Sequence, residues 1–270
     1  MAMLINGRAD EGVAAADRGL AYGDGVFRTL ELREGKPRLW AWQYARLCDD
    51  ARRLRLPPPE ESLLLAELAA AGDGLPRAAA KIMLTRGAGA RGYAMPEAPS
   101  CTRIVSAAAW NGYPPERSEQ GVTARWCETR LALQPALAGI KHLNRLENVL
   151  ARSEWQDPAV AEGLMLDMEG WVVEGTMSNV YVLEGEAIVT PRLDRCGVNG
   201  AVRDWLTAYC LDIGRSFTET RLSTSRLIDA DAVFLSNSLM GIWQITRLGE
   251  RSWTPHPLLS ALQHSLSLQA

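Results

Sequence analysis

The stretch AGIKHLNRLE, residues 138–147, decides how this chain is interpreted, because it places Lys141 between an apolar approach and a predicted helix. Of the 29 basic residues only Lys36, Lys81 and Lys141 are lysine, and the others are arginine. Arginine stays protonated, whereas a desolvated lysine can lose its proton and attack a carbonyl carbon. A lone lysine is more often a surface residue whose stem covers apolar neighbours. Lys141 is therefore a candidate nucleophile that needs support from other features.

Two later features supply that support. Glu174 ends a predicted strand, where a buried carboxylate is costly unless it meets a cation. A protonated pyridine nitrogen would be such a cation, and an arginine is the ordinary alternative. Residues 197–200 read GVNG and precede a predicted helix, whose N-terminus would offer backbone N–H groups to an anion. Arg46, on an earlier predicted helix, could add positive charge, although a glycine pair alone is more often just a turn.

Hydrophobic periodicity predicts two packed units of a mixed α/β fold, of the α+β type rather than a doubly wound sheet. We expect an N-terminal α/β domain at 1–112, a linker at 113–120 rich in proline and charge, and a larger mixed domain at 121–270 that carries Lys141. The predicted strands are 3–6, 26–33, 37–40, 79–85, 102–109, 122–129, 164–168, 171–174, 180–183, 187–190 and 232–235. The predicted helices are 41–54, 60–71, 144–155 and 201–211.

Composition excludes several classes of protein. Apolar residues make up 47% of the chain and charged residues 23%, which is ordinary for a globular protein. The net charge of −3 provides no basic surface for nucleic acid. The five cysteines are widely spaced and form no C-x-x-C pair, so no metal site is expected. Because no apolar run reaches about 18 residues, we expect no membrane span and a cytoplasmic location.

A glycine-rich segment imitates a nucleotide-binding motif. Gly87, Gly89 and Gly92 satisfy G-x-G-x-x-G after a predicted strand, but prolines follow and no helical pattern opens there. A dinucleotide loop needs that helix N-terminus to face the pyrophosphate, so a Rossmann site is not expected. Arg86 and Arg91 on this segment could bind a carboxylate bidentately. Residue types alone allow equally a solvated loop with surface arginines.

Taken in chain order, these motifs resemble the aminodeoxychorismate lyases, of the fold-type IV pyridoxal-phosphate class. The resemblance covers nearly the whole chain, and residues 139–147 are its most specific part. It also includes YGDGVF at 22–27, Arg46-Leu47, GARGY at 89–93, Glu174-Gly175, GVNG at 197–200 and NSLM at 237–240. The resemblance implies the two-domain fold of these enzymes, which is like that of D-amino-acid aminotransferase.

The resemblance also implies a role for each matched residue. Lys141 would form the Schiff base with pyridoxal 5'-phosphate, and Glu174 would pair with the pyridine nitrogen. Arg46 and the backbone N–H groups of Ala201 and Val202 would hold the phosphate, helped by Ser238 or Asn237. Arg91 would face a substrate carboxylate, with Arg86 or Arg28 as candidates for a second one. Lys141 or Thr29 would protonate the leaving enol.

Two departures from the family pattern bear on the activity. Gln43 stands where the family commonly has a histidine, three residues before the phosphate arginine. Phe27, Arg28 and Thr29 stand where transaminating relatives often carry a tyrosine or a glutamate, which argues against amino transfer.

The activity implied by the resemblance is a lyase reaction that converts 4-amino-4-deoxychorismate to 4-aminobenzoate and pyruvate, a step of folate biosynthesis, in a homodimer. The first alternative is a D-amino-acid or branched-chain aminotransferase of the same fold, against which His142, Arg145 and Glu147 favour the lyase. The second alternative is a non-catalytic module that binds phosphate or another anion through Arg46 and residues 197–201.

Overall fold

The computed structural model describes residues 2–9 and 12–269, which divide into two compact units. The first unit contains the described residues up to Gly112 together with Ile140–Asn144, and the second contains Tyr113–Gly139 and Arg145–Gln269. The domain limits expected from the sequence remain a prediction, and the structure differs from them at two segments: residues 113–120 and Ile140–Asn144. Each of these differences has a local physical cause.

The elements of the first unit are β1 (Ala2–Ile5), α1 (Arg18–Tyr22), β2 (Gly25–Arg33), β3 (Lys36–Pro37), α2 (Trp40–Arg53), α3 (Glu61–Ala71), β4 (Arg77–Thr85) and β5 (Thr102–Ala109). Among the described residues its strands form a five-stranded antiparallel sheet in the order β1-β5-β4-β2-β3. The predicted strand at 37–40 is wrong beyond Pro37, because Leu39 adopts a left-handed φ of 55° and Trp40 begins α2.

Alternation of side chains gives this sheet two different faces. Leu30 of β2 and Ile82 of β4 pack in one buried cluster with Leu47 of α2 and Leu64 of α3. The opposite face is only half-buried and carries polar side chains, described below with the site. Helix α2 runs close to its predicted limits, and Pro57-Pro58-Pro59 follow soon after its end.

The elements of the second unit are α4 (Glu116–Glu119), β6 (Val122–Leu131), α5 (Leu146–Arg152), β7 (Val160–Asp167), β8 (Val172–Gly175), β9 (Asn179–Glu184), β10 (Ala187–Pro191), α6 (Ala201–Asp212), β11 (Phe217–Thr220), α7 (Thr224–Asp229), β12 (Ala232–Asn237), β13 (Gly241–Leu248), β14 (Arg251–Ser252) and α8 (Pro257–Ser267). Over the described residues the nine-stranded sheet runs β11-β10-β9-β12-β13-β6-β7-β8, and β14 pairs with β13. Strand β8 also pairs with β9, so the strands from β9 to β8 along this order form a closed ring.

In two hairpins of the second unit the chain turns at a glycine. Strands β7 and β8 are antiparallel around Gly170 at a φ of 87°, and β9 and β10 around Gly185 at a φ of 56°. The fold is therefore a mixed α/β fold with two sheets and flanking helices, as predicted. Within the described residues, no helix combines the length and the apolar character needed to cross a membrane.

The two segments that differ from the predicted limits have clear causes. Residues 113–120 are not a free linker, because Pro115 caps α4 and Tyr113 packs edge-on against Trp243, with ring centroids 4.8 Å apart. Residues 141–143 bond to β2, so the chain is extended there. The helix predicted at 144–155 therefore starts later, at Leu146, and it ends at Arg152.

Candidate active site

Lys141 lies on an extended segment beside β2 in the first unit. The Phe27 N–H donates to the Lys141 carbonyl oxygen (2.9 Å), and the Leu143 N–H donates to that of Gly25 (3.0 Å). The backbone N–H of Lys141 donates to Asp50 Oδ2 (3.1 Å). Lys141 Nζ lies 4.6 Å from the centroid of the Phe27 ring. The backbone of the candidate nucleophile is therefore held by both β2 and α2.

The half-buried face of the first sheet brings a second lysine to the same ring. Thr29 pairs with Lys81 across β2 and β4, and Lys81 Nζ lies 4.8 Å from the centroid of the Phe27 ring. Burial lowers the pKa of Lys81 below its usual value of 10.5. Two of the three lysines of the chain thus meet at Phe27, on the face that also carries Thr29. The sequence analysis missed Lys81, although the rarity of lysine was the signal that singled out Lys141.

Arg46 projects from α2, one turn before Asp50. Its guanidinium group forms an ion pair with Asp49 and lies 3.8 Å from Asp50 Oδ1. Asp50 therefore connects Arg46 with the backbone of Lys141, and it too was missed. Gln43, at the position of the family histidine, is buried one turn earlier on the same helix.

The structure corrects the expectation that Arg28 or Arg86 binds a substrate carboxylate. Arg28 is buried and forms an ion pair with Asp50, because its strand position turns it toward α2. Arg86 is buried as well, and donates to both carboxylate oxygens of Asp24 (2.8 and 3.0 Å) and to the Leu54 carbonyl oxygen (2.6 Å). Both guanidinium groups are committed to partners inside the first unit.

Arg91 lies exposed on the glycine-rich loop after β4. The Arg18 guanidinium holds this loop by donating to the carbonyl oxygens of Gly92 (2.9 Å) and Tyr93 (3.2 Å), and it also binds Asp24 (2.8 Å). No helix follows the loop in the described residues 88–101, so the loop lacks the helix N-terminus that a dinucleotide-binding loop requires. Gly87 is instead required by a φ of 79° and by a Cβ position only 1.8 Å from the Ser100 carbonyl oxygen.

Glu174 lies at the end of β8 in the second unit, with 3% of its surface exposed. Its Oε2 accepts the backbone N–H of Val198 (2.7 Å), and its Oε1 accepts a weak hydrogen bond from Asn148 Nδ2 (3.4 Å). Asn148, on α5, also donates to the Thr176 carbonyl oxygen (3.1 Å). The sequence carries no local signal for Asn148, because its contacts with the Glu174 loop are made only in the folded unit.

The GVNG segment builds the N-terminus of α6 beside Glu174. Asn179 supports it from β9, since its Nδ2 donates to the Val198 carbonyl oxygen (2.7 Å) and its Oδ1 accepts the Gly200 N–H (3.1 Å). A Cβ at Gly200 would lie 2.5 Å from Asn179 Oδ1. Ala201 and Val202 are each 1% exposed, and no side chain caps this helix. A buried helix N-terminus without a side-chain cap is a site that an anionic group satisfies.

The turn after β12 carries the two other predicted phosphate residues. Asn237 Oδ1 accepts the backbone N–H groups of Leu239 (2.9 Å) and Met240 (2.8 Å), and its Nδ2 donates to the Met177 carbonyl oxygen (3.0 Å). The Asn237 side chain thus shapes the turn and is occupied by backbone groups. Whether Ser238 or Asn237 helps to bind the phosphate stays a prediction.

Within the first unit the structure brings together Lys141, Arg46 and Thr29, through Asp50 and Phe27. Arg91 lies on the exposed loop after β4. Within the second unit it brings Glu174 and the start of α6 together, through Val198. Among the described residues, no group of histidine, cysteine, aspartate and glutamate side chains is arranged to hold a metal ion.

Comparison with known proteins adds an independent line of evidence. The model of the amino-transferase class IV family matches residues 25–248. An aminodeoxychorismate lyase of Vibrio harveyi is 33% identical over 238 residues, which are 88% of each chain. A D-alanine aminotransferase of Bacillus licheniformis is 28% identical over 98% of this chain and 96% of its own. The crystal structure of 4-amino-4-deoxychorismate lyase from Pseudomonas aeruginosa is similar with a TM-score of 0.92 and 45% identity, over 98% of this chain and 97% of that one.

Proposed function

Since this chain belongs to the class IV amino-transferase family, we propose that it is a pyridoxal-phosphate-dependent lyase that converts 4-amino-4-deoxychorismate to 4-aminobenzoate and pyruvate. The observation that carries this proposal is the placement of Lys141, whose backbone is fixed by β2 and by Asp50 and whose amine lies at Phe27 beside Lys81. The choice of a lyase reaction rests on the likeness to the two named lyases.

The residues present fit the cofactor in charge and in hydrogen-bonding chemistry. Glu174 would pair with the pyridine nitrogen, and the N–H groups of Ala201 and Val202 would bind the phosphate, with Ser238 or Asn237. Lys141 would supply the amine and Arg46 a further positive charge. When bound, pyridoxal phosphate withdraws electrons and so stabilises negative charge on the carbon next to the substrate nitrogen.

The side chains of the first unit account for the proton transfers. Lys141 Nζ, as a free amine, removes the proton from the ring carbon that bears the substrate amino group. The bond to the enolpyruvyl oxygen then breaks, and aromatisation of the ring makes the step irreversible. Lys141 or the Thr29 hydroxyl returns a proton to the leaving enol.

The substrate carries two carboxylates, which need two cations. Lys81 replaces Arg28 and Arg86 as a partner for one of them, because it lies half-buried beside Phe27 and Thr29. Arg91, exposed on its loop, remains the partner proposed for the other. This pair leaves the buried arginines to their structural roles.

We also propose a homodimer, as the sequence resemblance implied. Helix α5 presents Leu146, Val149 and Leu150 on one face, and these are 75%, 59% and 59% exposed. Three large apolar side chains at spacings of three and four residues form a patch that a second copy would cover. The free cysteines fit a reducing cytoplasm, which is the location we propose.

Amino transfer is the second candidate, favoured by the likeness to the D-alanine aminotransferase. A product assay separates the two functions. The purified enzyme, supplied with pyridoxal phosphate, should release 4-aminobenzoate and pyruvate in equal amounts from 4-amino-4-deoxychorismate. Incubation with D-alanine or leucine and 2-oxoglutarate should give little product. Rapid amino transfer without 4-aminobenzoate would reject the lyase. Lys141→Ala should release no 4-aminobenzoate, and Lys36→Ala, on exposed β3, is its matched control.

A further inference from the structure

Asp50 is a buried acid in the first unit that nothing in the reaction described above uses. It lies on α2 with none of its surface exposed. Its Oδ2 accepts the backbone N–H of Lys141 (3.1 Å) and forms an ion pair with Arg28. Its Oδ1 is 3.8 Å from the Arg46 guanidinium group. Asp50 therefore contacts the backbone of one proposed cofactor residue and neighbours the side chain of another.

The hydrogen bond to Lys141 completes a two-sided attachment. Bridge pairing of His142 with Val26 directs the Lys141 carbonyl toward β2, where it accepts the Phe27 N–H (2.9 Å). The N–H of the same residue donates to the Asp50 carboxylate, which α2 supplies (3.1 Å). Both backbone groups of Lys141 are thus fixed, which limits the positions that its side chain can take.

The ion pair with Arg28 explains how an ionised acid is tolerated at this place. Both side chains are buried, and each would be costly without the other. Arg28 is therefore the counter-ion of Asp50. The pair brings no net charge close to Lys141, and Arg46 can also pair with the exposed Asp49.

We infer that Asp50, with Arg28 as its counter-ion, is a positioning residue that anchors the backbone of Lys141. This inference rests on the proposed function, since it assigns Lys141 the role of the cofactor lysine. It goes beyond that function because it gives Asp50 a role that is exerted through the backbone of Lys141. Precise placement of a reacting group controls rate more than binding, so loss of the anchor should lower kcat more than it raises KM.

Two double variants isolate the hydrogen bond from the charge. Arg28→Met with Asp50→Asn removes the buried ion pair but keeps an oxygen that can accept the Lys141 N–H. Arg28→Met with Asp50→Leu removes the ion pair and the acceptor together. Hydrogen exchange followed by mass spectrometry should show faster exchange of the 140–144 peptide in the leucine variant, without any cofactor present. With cofactor, the kcat of the leucine variant should be lower than that of the asparagine variant by about tenfold or more, at similar KM.

Glu67→Gln is the matched control for lost stability. Glu67 is a buried acid of the same unit that accepts two hydrogen bonds from Arg103 (2.6 Å each). Its variant should lower the Tm without changing exchange at 140–144 or kcat. Equal exchange and equal kcat in the two double variants would overturn the anchoring role. If wild-type protein takes no cofactor on Lys141, the proposed function fails, and the exchange comparison still decides the anchor separately.

Discussion

Lys81 is a side chain whose ionisation should be visible in the kinetics. Because burial lowers its pKa below 10.5, it loses its charge at a lower pH than an exposed lysine. If its ammonium group binds a substrate carboxylate, KM should rise as the pH increases through that lowered pKa. Lys81→Met should raise KM at neutral pH by about tenfold, the weight of one charged hydrogen bond. Steady-state kinetics between neutral and alkaline pH measure both effects.

Lys81→Arg is the control, because arginine keeps its charge throughout this range. Its KM should lack the alkaline rise. An unchanged KM in Lys81→Met, or an alkaline rise that persists in Lys81→Arg, would remove Lys81 from the substrate site.

Residue types predicted part of the candidate site, and packing decided the rest. Lys141 was singled out because lysine is rare in this chain, and Glu174 because a buried carboxylate is costly. Arg28 and Arg86 were assigned wrongly, because residue type does not reveal which face of a strand a guanidinium group occupies or which partner it meets. Asp50 could not be predicted, since its contact with Lys141 joins residues 91 positions apart.

The turn before α6 offers a test of why glycine stands beside Glu174. Gly197 has a φ of 82°, and a Cβ there would lie 2.7 Å from side-chain carbons of Val173 and of Leu193. Gly214 has a φ of 67° and nothing within 4 Å. Gly197→Ala should therefore lower the free energy of unfolding by about 2–4 kcal/mol, against about 1 kcal/mol for Gly214→Ala, in urea titrations. An equal loss of unfolding free energy in the two variants would mean that the structure around Gly197 accommodates the added methyl group without strain.

The exposed face of α5 makes a prediction about assembly. Leu146→Glu with Val149→Glu should shift a dimer toward monomer in sedimentation velocity, because two carboxylates would have to be buried at the interface. Leu211→Glu, on α6, is the control, since Leu211 is also strongly exposed at 80%. A dimer that survives the α5 changes, or one that Leu211→Glu dissociates, would place the interface elsewhere.

Elements with a clear period or a clear turn were predictable, and short or context-dependent elements were not. Strands β4 and β5 and the two glycine hairpins follow from alternation and turn chemistry. Strand β13 was missed, as was α8, which begins at Pro257 after the His256 cap. The start of the helix predicted at 144–155 was placed too early, because residues 141–143 bond to β2 and this pairing overrides local helix propensity.

Acid stability should reflect two carboxylates of the first unit, the half-buried Asp24 and the buried Glu31. Burial alone would raise the pKa of Asp24, but hydrogen bonds from Arg86 and Arg18 outweigh it and leave that pKa lowered. Burial also raises the pKa of Glu31, but hydrogen bonds from Arg33 and Arg38 outweigh it, so this pKa is lowered too. A carboxyl group whose pKa is lower in the folded state stabilises the protein at pH values above its unfolded-state pKa, which is 3.8 for Asp24 and 4.5 for Glu31. This stabilisation is lost as the pH falls below those values and through the lowered pKa of the folded state.

Urea unfolding followed by circular dichroism across this acidic range measures the effect. The free energy of unfolding should fall as the pH decreases, and Asp24→Asn should make that decrease shallower while lowering stability at neutral pH. A variant with the same pH slope as the wild type would show that Asp24 does not contribute to it.

The proposed function depends on one covalent link, between Lys141 and pyridoxal phosphate, which a single measurement tests. The protein is loaded with pyridoxal phosphate, reduced with borohydride, digested and mapped by mass spectrometry. We predict loss of the visible absorption band and a pyridoxyl label on the peptide that contains Lys141. A label on Lys36 or Lys81 instead, or no label at all, would contradict the account and leave the non-catalytic anion-binding module as the better description.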